Sequence, residues 1–162
     1  PVVVGEALEC LGGNGYVEES AMPRLYREAP LNSIWEGSSN INALDVLRIV
    51  EKQPRALDAF RAEIEPALDD PRMRRAANDL DALLREVDDA PSGARTIVER
   101  MAALWQAALL ARDAYNPAAD LFIDSRIGGR WERTLGTLAP SAQHRVLIER
   151  AQPAQNVEYS ER

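Results

Sequence analysis

Two short stretches near the amino end of the sequence contain residues that could do chemistry. Gly12-Gly13-Asn14-Gly15 follows an apolar segment, and such glycines let backbone amides come close to a phosphate or a carbonyl group. Glu36 lies between Trp35 and Gly37, where desolvation by the indole would suit the carboxylate to act as a general base. Each stretch also has a structural interpretation, because glycines commonly end helices and a single glutamate is commonly solvated.

The residues after Glu36 extend this pattern. Ser38-Ser39-Asn40 precede an apolar helical pattern, and polar groups at a helix start lie where the helix dipole favours negative charge. The structural alternative is that Ser38 or Ser39 only caps the helix. The three features together indicate a functional site more strongly than any one of them alone.

The order and spacing of these residues resemble the C-terminal signature of the acyl-CoA dehydrogenase family. In that signature Leu-Gly-Gly-x-Gly-Tyr, here at residues 11–16, precedes an arginine-rich loop and then Ile-x-Glu-Gly, here at residues 34–37. The stretch from Pro23 to Ser38 is most similar to the AidB-like branch, which is linked to the DNA alkylation response. The sequence departs from the common family pattern, which has Gln, Tyr and Thr, at three positions: Glu9, Trp35 and Ser38.

The resemblance implies an FAD-dependent oxidoreductase that oxidises acyl-CoA thioesters by α-proton abstraction and β-hydride transfer to flavin. It implies that Glu36 is the catalytic base. It also implies that Gly12 and Gly13 contact the adenosine end of a neighbouring subunit's FAD. Trp35 and Ser38 would approach the cofactor beside the base. In this family FAD lies between domains and across a dimer interface, so we expect a homodimeric or tetrameric parent protein.

The sequence begins with Pro1 and runs directly into an apolar helical pattern. We therefore expect a C-terminal piece of a longer polypeptide. By itself this piece is expected to be inactive and to bind no FAD, because the isoalloxazine pocket of the family needs the β-domain that precedes it.

The composition limits the other functions. The formal net charge of −7 opposes a surface that coats nucleic acid, because phosphate binding depends on Lys and Arg. The single cysteine, Cys10, excludes an internal disulfide and is expected to be a small buried residue. His144 is the only histidine, so no metal site is expected. No apolar run approaches the roughly 20 residues that span a bilayer, and we expect no membrane contact and a cytoplasmic location.

Helical periodicity dominates the chain, and no sustained strand pattern interrupts it. The sequence therefore predicts an all-α fold, an up-and-down antiparallel helical bundle with short connections. Residues 1–53 would be the end of the family's C-terminal helical domain, 54–152 a helical extension and 153–162 a tail. The clearest helical stripe is Met73, Ala76, Ala77, Leu80, Leu83, Leu84 and Val87.

Caps and breakers predict where helices begin and end. A polar loop is expected to run through Pro23 and Pro30, and residues 88–93 have the composition of a turn. Two pairs have the form of an N-cap followed by proline: Asp70-Pro71 and Asn116-Pro117.

A second interpretation is a binding module, an alkylation-response protein whose dehydrogenase activity is weak or vestigial. The AidB-like resemblance implies contact with double-stranded DNA through the extension. The candidate contacts are Arg48, Arg72, Arg74, Arg75 and Arg126, with Arg130 and Arg133 beyond them. The structural alternative for each arginine is a solvated helix face with acidic neighbours.

A third interpretation makes the extension an oligomerisation bundle. Its interface anchors would be Met101, Trp105 and Trp131. The structural alternative is that these large side chains belong to the intramolecular core.

If the extension contacts DNA, binding by the full-length parent protein will weaken steeply with salt, because each phosphate contact releases counterions. Replacing Arg72, Arg74 and Arg75 together by glutamine will then lower the affinity and flatten its salt dependence. Electrophoretic mobility of duplex DNA at several salt concentrations measures both effects. No shift at low salt would exclude DNA contact for this protein.

Overall fold

The computed structural model describes residues 1–85, 90–129 and 141–152. These residues form helices and no strand, which confirms the all-α prediction. The α-helices are α1 (Val2–Cys10), α2 (Gly13–Tyr16), α3 (Met22–Glu28), α4 (Ser39–Lys52), α5 (Pro54–Ile64), α6 (Pro71–Arg85), α7 (Ala90–Ala111), α8 (Pro117–Phe122) and α9 (Ala142–Ala151). Shorter segments add 3-10 turns at Ala29–Ser33 and Glu65–Ala67 and a π-helical turn at Ile123–Ile127.

The chain divides into two units, Pro1–Ile49 and Val50–Arg162, and the dividing point lies inside α4. The predicted boundary after Gln53 stays a prediction, and the predicted tail lies outside the described residues. In the described ranges, no helix combines the length and hydropathy that a membrane-crossing segment requires.

The first unit, whose residues are all described, buries no large side chain. Its buried residues are Gly15, Pro23 and Ala43. In α1 no residue is buried, and Val3 is 76% exposed. Because hydrophobic stabilisation scales with the apolar area removed from water, this unit gains little of it from its own packing.

The second unit has a continuous core in which α5 and α6 both pack against α7. Met73 and Leu80 on α6 and Ile97 and Leu104 on α7 are each buried. Full burial of one such side chain contributes roughly 1.5–3 kcal/mol. The stripe predicted on α6 is confirmed at Met73 and Leu80, while Val87 lies outside the described residues.

Polar caps begin three helices of the second unit. The side chain of Asp70 accepts a hydrogen bond from the backbone N–H two residues later at 2.8 Å, and that of Asn116 does the same at 3.1 Å. A proline follows each of these caps, as the sequence predicts, because the missing N–H of a first helical residue needs no partner. The Ser141 hydroxyl oxygen caps α9 in the same way at 3.2 Å.

Two local predictions are wrong. The polar loop expected through Pro23 contains α3, because proline is compatible with the first turn of a helix. The turn expected at residues 88–93 is too long, since α7 begins at Ala90 and has Pro91 in its first turn.

Arg72 connects α6 to α8 and the π-helical turn. Its Nη2 donates to Asp70 and to Asp120, both at 2.7 Å, and its Nη1 lies 3.5 Å from a carboxylate oxygen of Asp124. Asp120 and Asp124 are four residues apart and therefore share one helical face. The hydrogen bond from Arg72 lowers the pKa of the Asp70 carboxyl, and the same contact raises the pKa of the Arg72 guanidinium.

Replacing Asp70 by Asn will keep the cap oxygen but remove the charge that pairs with Arg72. We expect Asp70→Asn to destabilise the second unit by about 1–2 kcal/mol at about pH 7, and Asp70→Ala by roughly a further 1 kcal/mol. Since the folded-state pKa of Asp70 lies below its unfolded value, the ionic contribution is present above the unfolded pKa and is lost as the pH falls through the folded pKa. Urea unfolding followed by circular dichroism measures this at neutral and acidic pH. An Asp70→Asn protein as stable as the parent at neutral pH would contradict it.

Candidate active site

The glycine turn, residues 12–15, follows the end of α1 and contains the start of α2. The backbone N–H groups of Leu11 and Gly12 donate to the carbonyls of Leu8 at 3.1 Å and Glu9 at 2.9 Å. Gly12 has a φ of 55°, which glycine adopts without the steric cost of a Cβ atom. Its carbonyl accepts from the N–H of Gly15 at 3.0 Å. The predicted turn exists, with one helical turn inside it.

The glycines of this turn have different surroundings. A Cβ atom on Gly12 or Gly13 would meet no other atom of the described residues within 4 Å, so the backbone here is open to an approaching group. A Cβ atom on Gly15 would instead lie 2.3 Å from the carbonyl oxygen of Leu8. Gly15 therefore lets α2 pack directly on the backbone of α1, a packing role that the sequence analysis missed.

A bidentate ion pair holds the segment between α2 and α3. The two terminal nitrogens of Arg27 donate to the two carboxylate oxygens of Glu18, at 2.7 and 3.2 Å. The side-chain hydrogen bond from Arg27 lowers the pKa of Glu18. Both side chains are exposed, so the pair orients α3 more than it stabilises the fold.

Residues 34–38 form the Glu36 turn. At its start, two backbone N–H groups donate to the same carbonyl. The carbonyl of Leu31, in the 3-10 turn, accepts from the N–H of Ile34 at 2.9 Å and from that of Trp35 at 3.1 Å. The backbone is therefore fixed on the upstream side, immediately before the carboxylate-bearing residue.

The chain leaves the turn through Gly37, which has a φ of 97°. The N–H of Asn42 donates to the carbonyl of Ser38 at 3.0 Å, so Ser38 caps α4 through its main chain, as one of the two predicted alternatives requires. The Asn42 side-chain amide also donates to the carbonyl of Gly37, at 3.3 Å. Glu36 thus lies between two hydrogen-bonded segments.

The side chains around this turn face solvent. Trp35 is 65% exposed and Ile34 is 62% exposed, and Glu36 and Ser38 are exposed as well. The expected desolvation of Glu36 by the indole is wrong for this chain, because the indole itself is largely in water. A water-excluded base would need another domain or subunit over this face.

The comparisons with known proteins agree on one family. Residues 2–51 match the acyl-CoA dehydrogenase C-terminal domain. The AidB protein of Escherichia coli (strain K12), assigned to the acyl-CoA dehydrogenases, is 42% identical over 132 residues, which cover 78% of this chain and 24% of that protein. Acyl-CoA dehydrogenase family member 11 of Caenorhabditis elegans is 33% identical over 90 residues, 52% of this chain and 15% of that protein. Mitochondrial isovaleryl-CoA dehydrogenase of Arabidopsis thaliana is 44% identical over 48 residues, 30% of this chain and 12% of that protein.

The chain belongs to the acyl-CoA dehydrogenase family. The glycine turn and the Glu36 turn both lie inside the segment that matches the family's C-terminal domain. The AidB alignment of 132 residues is longer than that segment, so the AidB-like similarity extends into the second unit. The chain spans about a quarter of the length of AidB and less of the other relatives.

In this family member, the arginines considered for DNA contact differ in their surroundings. Arg48 pairs with Asp45 one turn away on α4, and Arg72 is held by three carboxylates. A phosphate would have to compete with those acids for either guanidinium. Three further candidates are exposed: Arg74, Arg75 and Arg126. The last two lie outside the described residues: Arg130 and Arg133. DNA contact stays a prediction.

Cys10 and His144 differ from each other in exposure. Cys10 is exposed, so its predicted burial is wrong, because α1 contacts its neighbours without burying any of its own residues. His144 is half-buried on α9, and its Nε2 has no hydrogen-bond partner among the described residues. Within the same residues, no group of His, Cys, Asp or Glu side chains could hold a metal ion.

The large side chains considered as interface anchors are not fully buried where the structure describes them. Trp105 is 49% exposed on α7 and Met101 is half-buried, while Trp131 lies outside the described residues. The oligomerisation interpretation stays a prediction.

Replacing Gly15 by Ala should separate packing from ligand access in the glycine turn. The new Cβ would meet the Leu8 carbonyl oxygen, so we expect the first unit to lose about 1–3 kcal/mol of stability. Gly13→Ala is the matched control, because its Cβ meets no described atom, and its stability should stay close to that of the parent. Urea unfolding followed through the NMR signals of α1 measures both variants. Equal stability of the two variants would refute the packing role.

Proposed function

We propose that this chain supplies the catalytic base of an FAD-dependent acyl-CoA dehydrogenase that acts on acyl-CoA thioesters. The observation that supports it is the exposed carboxylate of Glu36, in a turn fixed on both sides by hydrogen bonds within the family's C-terminal domain. A general base has to be held within hydrogen-bond reach of the proton that it removes. A turn with a fixed entrance and exit meets this requirement.

The proposed chemistry assigns one step to Glu36. Its carboxylate accepts the proton from Cα of the acyl group, and the electron pair of that C–H bond forms the Cα–Cβ double bond. FAD, when bound, supplies the acceptor for the hydride that leaves Cβ. Hydrogen bonds to the thioester carbonyl would stabilise the negative charge that develops there as the proton leaves.

The residues around the base fit a cofactor surface. Gly12 and Gly13 present open backbone, which lets a large group approach without obstruction by a side chain. We assign these glycines to the adenosine end of a neighbouring subunit's FAD, and Trp35 and Ser38 to the cofactor surface beside Glu36. Ser38 precedes the 14-residue α4, whose dipole favours an electron-rich group at its start.

The exposed apolar side chains beside Glu36 support a need for further domains. Leu31, Ile34 and Trp35 are each more than half exposed, and exposed apolar side chains grouped in one short segment fit an interaction site. We infer that the other domains of a full-length protein and a second subunit cover this surface and exclude water from the base. The chain alone would therefore be inactive.

Replacing Glu36 by Gln in the full-length parent protein keeps the size of the side chain and its hydrogen bonding but removes the basic oxygen. We expect FAD content to survive and acyl-CoA-dependent bleaching of the flavin absorbance to slow by about two to four orders of magnitude. Stopped-flow absorbance measures the rate. Glu19→Gln is the matched control, because Glu19 is an exposed acid of the same unit, and it should bleach at the parent rate.

Two outcomes would count against the proposal. Bleaching of Glu36→Gln at the parent rate would assign the base to another residue. An unsubstituted parent protein that no acyl-CoA bleaches would show that the dehydrogenase chemistry has been lost.

A further inference from the structure

Asn42 binds two successive carbonyl groups at the exit of the Glu36 turn. Its backbone N–H donates to the carbonyl of Ser38 at 3.0 Å, and its side-chain Nδ2 donates to the carbonyl of Gly37 at 3.3 Å. The first bond belongs to any helix start at this position. The second depends on the side chain and reaches back across five residues.

Gly37 leaves space for the Asn42 side chain because it has no Cβ atom. A Cβ atom on Gly37 would lie 2.8 Å from Oδ1 of Asn42, closer than two such atoms can approach. The φ of 97° at Gly37 also lies in the region that other residues rarely adopt. Gly37 and Asn42 therefore form a matched pair in which the small residue makes room for the amide.

Gly37 can adopt the backbone conformation that this turn requires, but it does not by itself hold the backbone there. Glycine moves between positive and negative φ at little cost, so the peptide after Glu36 could rotate and swing the carboxylate with it. Glu36 and Ser38 are exposed, so packing does not restrain their side chains. The upstream bonds to the carbonyl of Leu31 end at Trp35, which leaves the downstream side to Asn42.

We infer that Asn42 is the positioning residue of the base. Its amide holds the peptide between Gly37 and Ser38, which restricts the dihedral angles of Gly37 and thereby the direction in which the Glu36 carboxylate points. This inference rests on the proposed role of Glu36. It concerns orientation alone, since Asn42 is assigned no contact with the substrate or the cofactor.

Replacing Asn42 by Ala removes the side-chain bond without weakening the helix, because alanine is the best helix former. In the 162-residue chain, NMR relaxation should show the order parameters of residues 36–38 falling from about 0.85 to below about 0.6. Those of residues 43–47 in α4 should stay high. Asn78→Ala is the matched control, because Asn78 is an exposed amide on α6. If residues 36–38 stay as rigid in Asn42→Ala as in the parent, the inference is wrong.

A second measurement uses the full-length parent protein with acyl-CoA. Misdirection of a base lowers the rate of the chemical step and leaves substrate binding intact. Asn42→Ala should therefore slow flavin bleaching at saturating acyl-CoA by about ten- to a hundredfold, with the half-saturating concentration within about twofold of the parent value. Asn78→Ala should match the parent in both quantities.

The outcomes separate this inference from the proposed function. If the parent bleaches, Glu36→Gln does not, and Asn42→Ala bleaches at the parent rate, the base is correct and the positioning role is wrong. A change confined to the half-saturating concentration would also contradict positioning, because it would indicate a binding role. If the parent itself does not bleach, the proposed function fails, and the positioning role fails with it whatever the relaxation data show.

Discussion

The first unit cannot build a hydrophobic core from its own side chains. It buries only Gly15, Pro23 and Ala43, whereas the second unit buries several large side chains. Local contacts therefore stabilise the first unit. They are the close approach of α1 and α2 at Gly15, the Arg27–Glu18 ion pair and the hydrogen bond from the Asn42 side-chain amide. Such contacts fix the backbone of a turn but leave its side chains exposed to solvent. The local geometry around Glu36 is set within the chain, while the apolar side chains beside it, Ile34 and Trp35, stay exposed.

The sequence predicts the second unit better than the first because the second unit is built from helix faces. The helical spacing of apolar residues on α6 predicts that Met73 and Leu80 are buried, as they are. Asp70 and Asn116 mark helix starts, because their side chains accept backbone hydrogen bonds there. In the first unit the signals are ambiguous. Proline at residue 23 is compatible with both a loop and a helix start, and only the neighbouring structure decides between them.

The candidate site shows the same division. The residue types make Glu36 and the glycines candidates, and the resemblance of their order and spacing to a family signature predicts their roles. The Asn42 contact has no periodic signature, since it joins a side chain to a carbonyl five residues earlier. The exposure of Trp35 depends on which other residues pack against its indole, and the neighbouring sequence does not determine this. Likewise, nothing in the sequence around Arg72 indicates that Asp120, 48 residues away, contributes to its pairing.

The π-helical turn at Ile123–Ile127 has a wider hydrogen-bond repeat than an α-helix. The N–H of Gly128 donates to the carbonyl of Ile123, five residues back, at 2.7 Å, and the Ser125 hydroxyl donates to the carbonyl of Leu121. A π-helical turn holds one residue more than the α-helical turn that it replaces. Loss of one residue from a regular α-helix rotates all that follows by about 100° around the helix axis, whereas loss of the extra residue of a π-helical turn restores the α-helical repeat and leaves the flanking turns in place. The turn is therefore a place where the chain can shorten by one residue while the buried Ile123 keeps its place in the core.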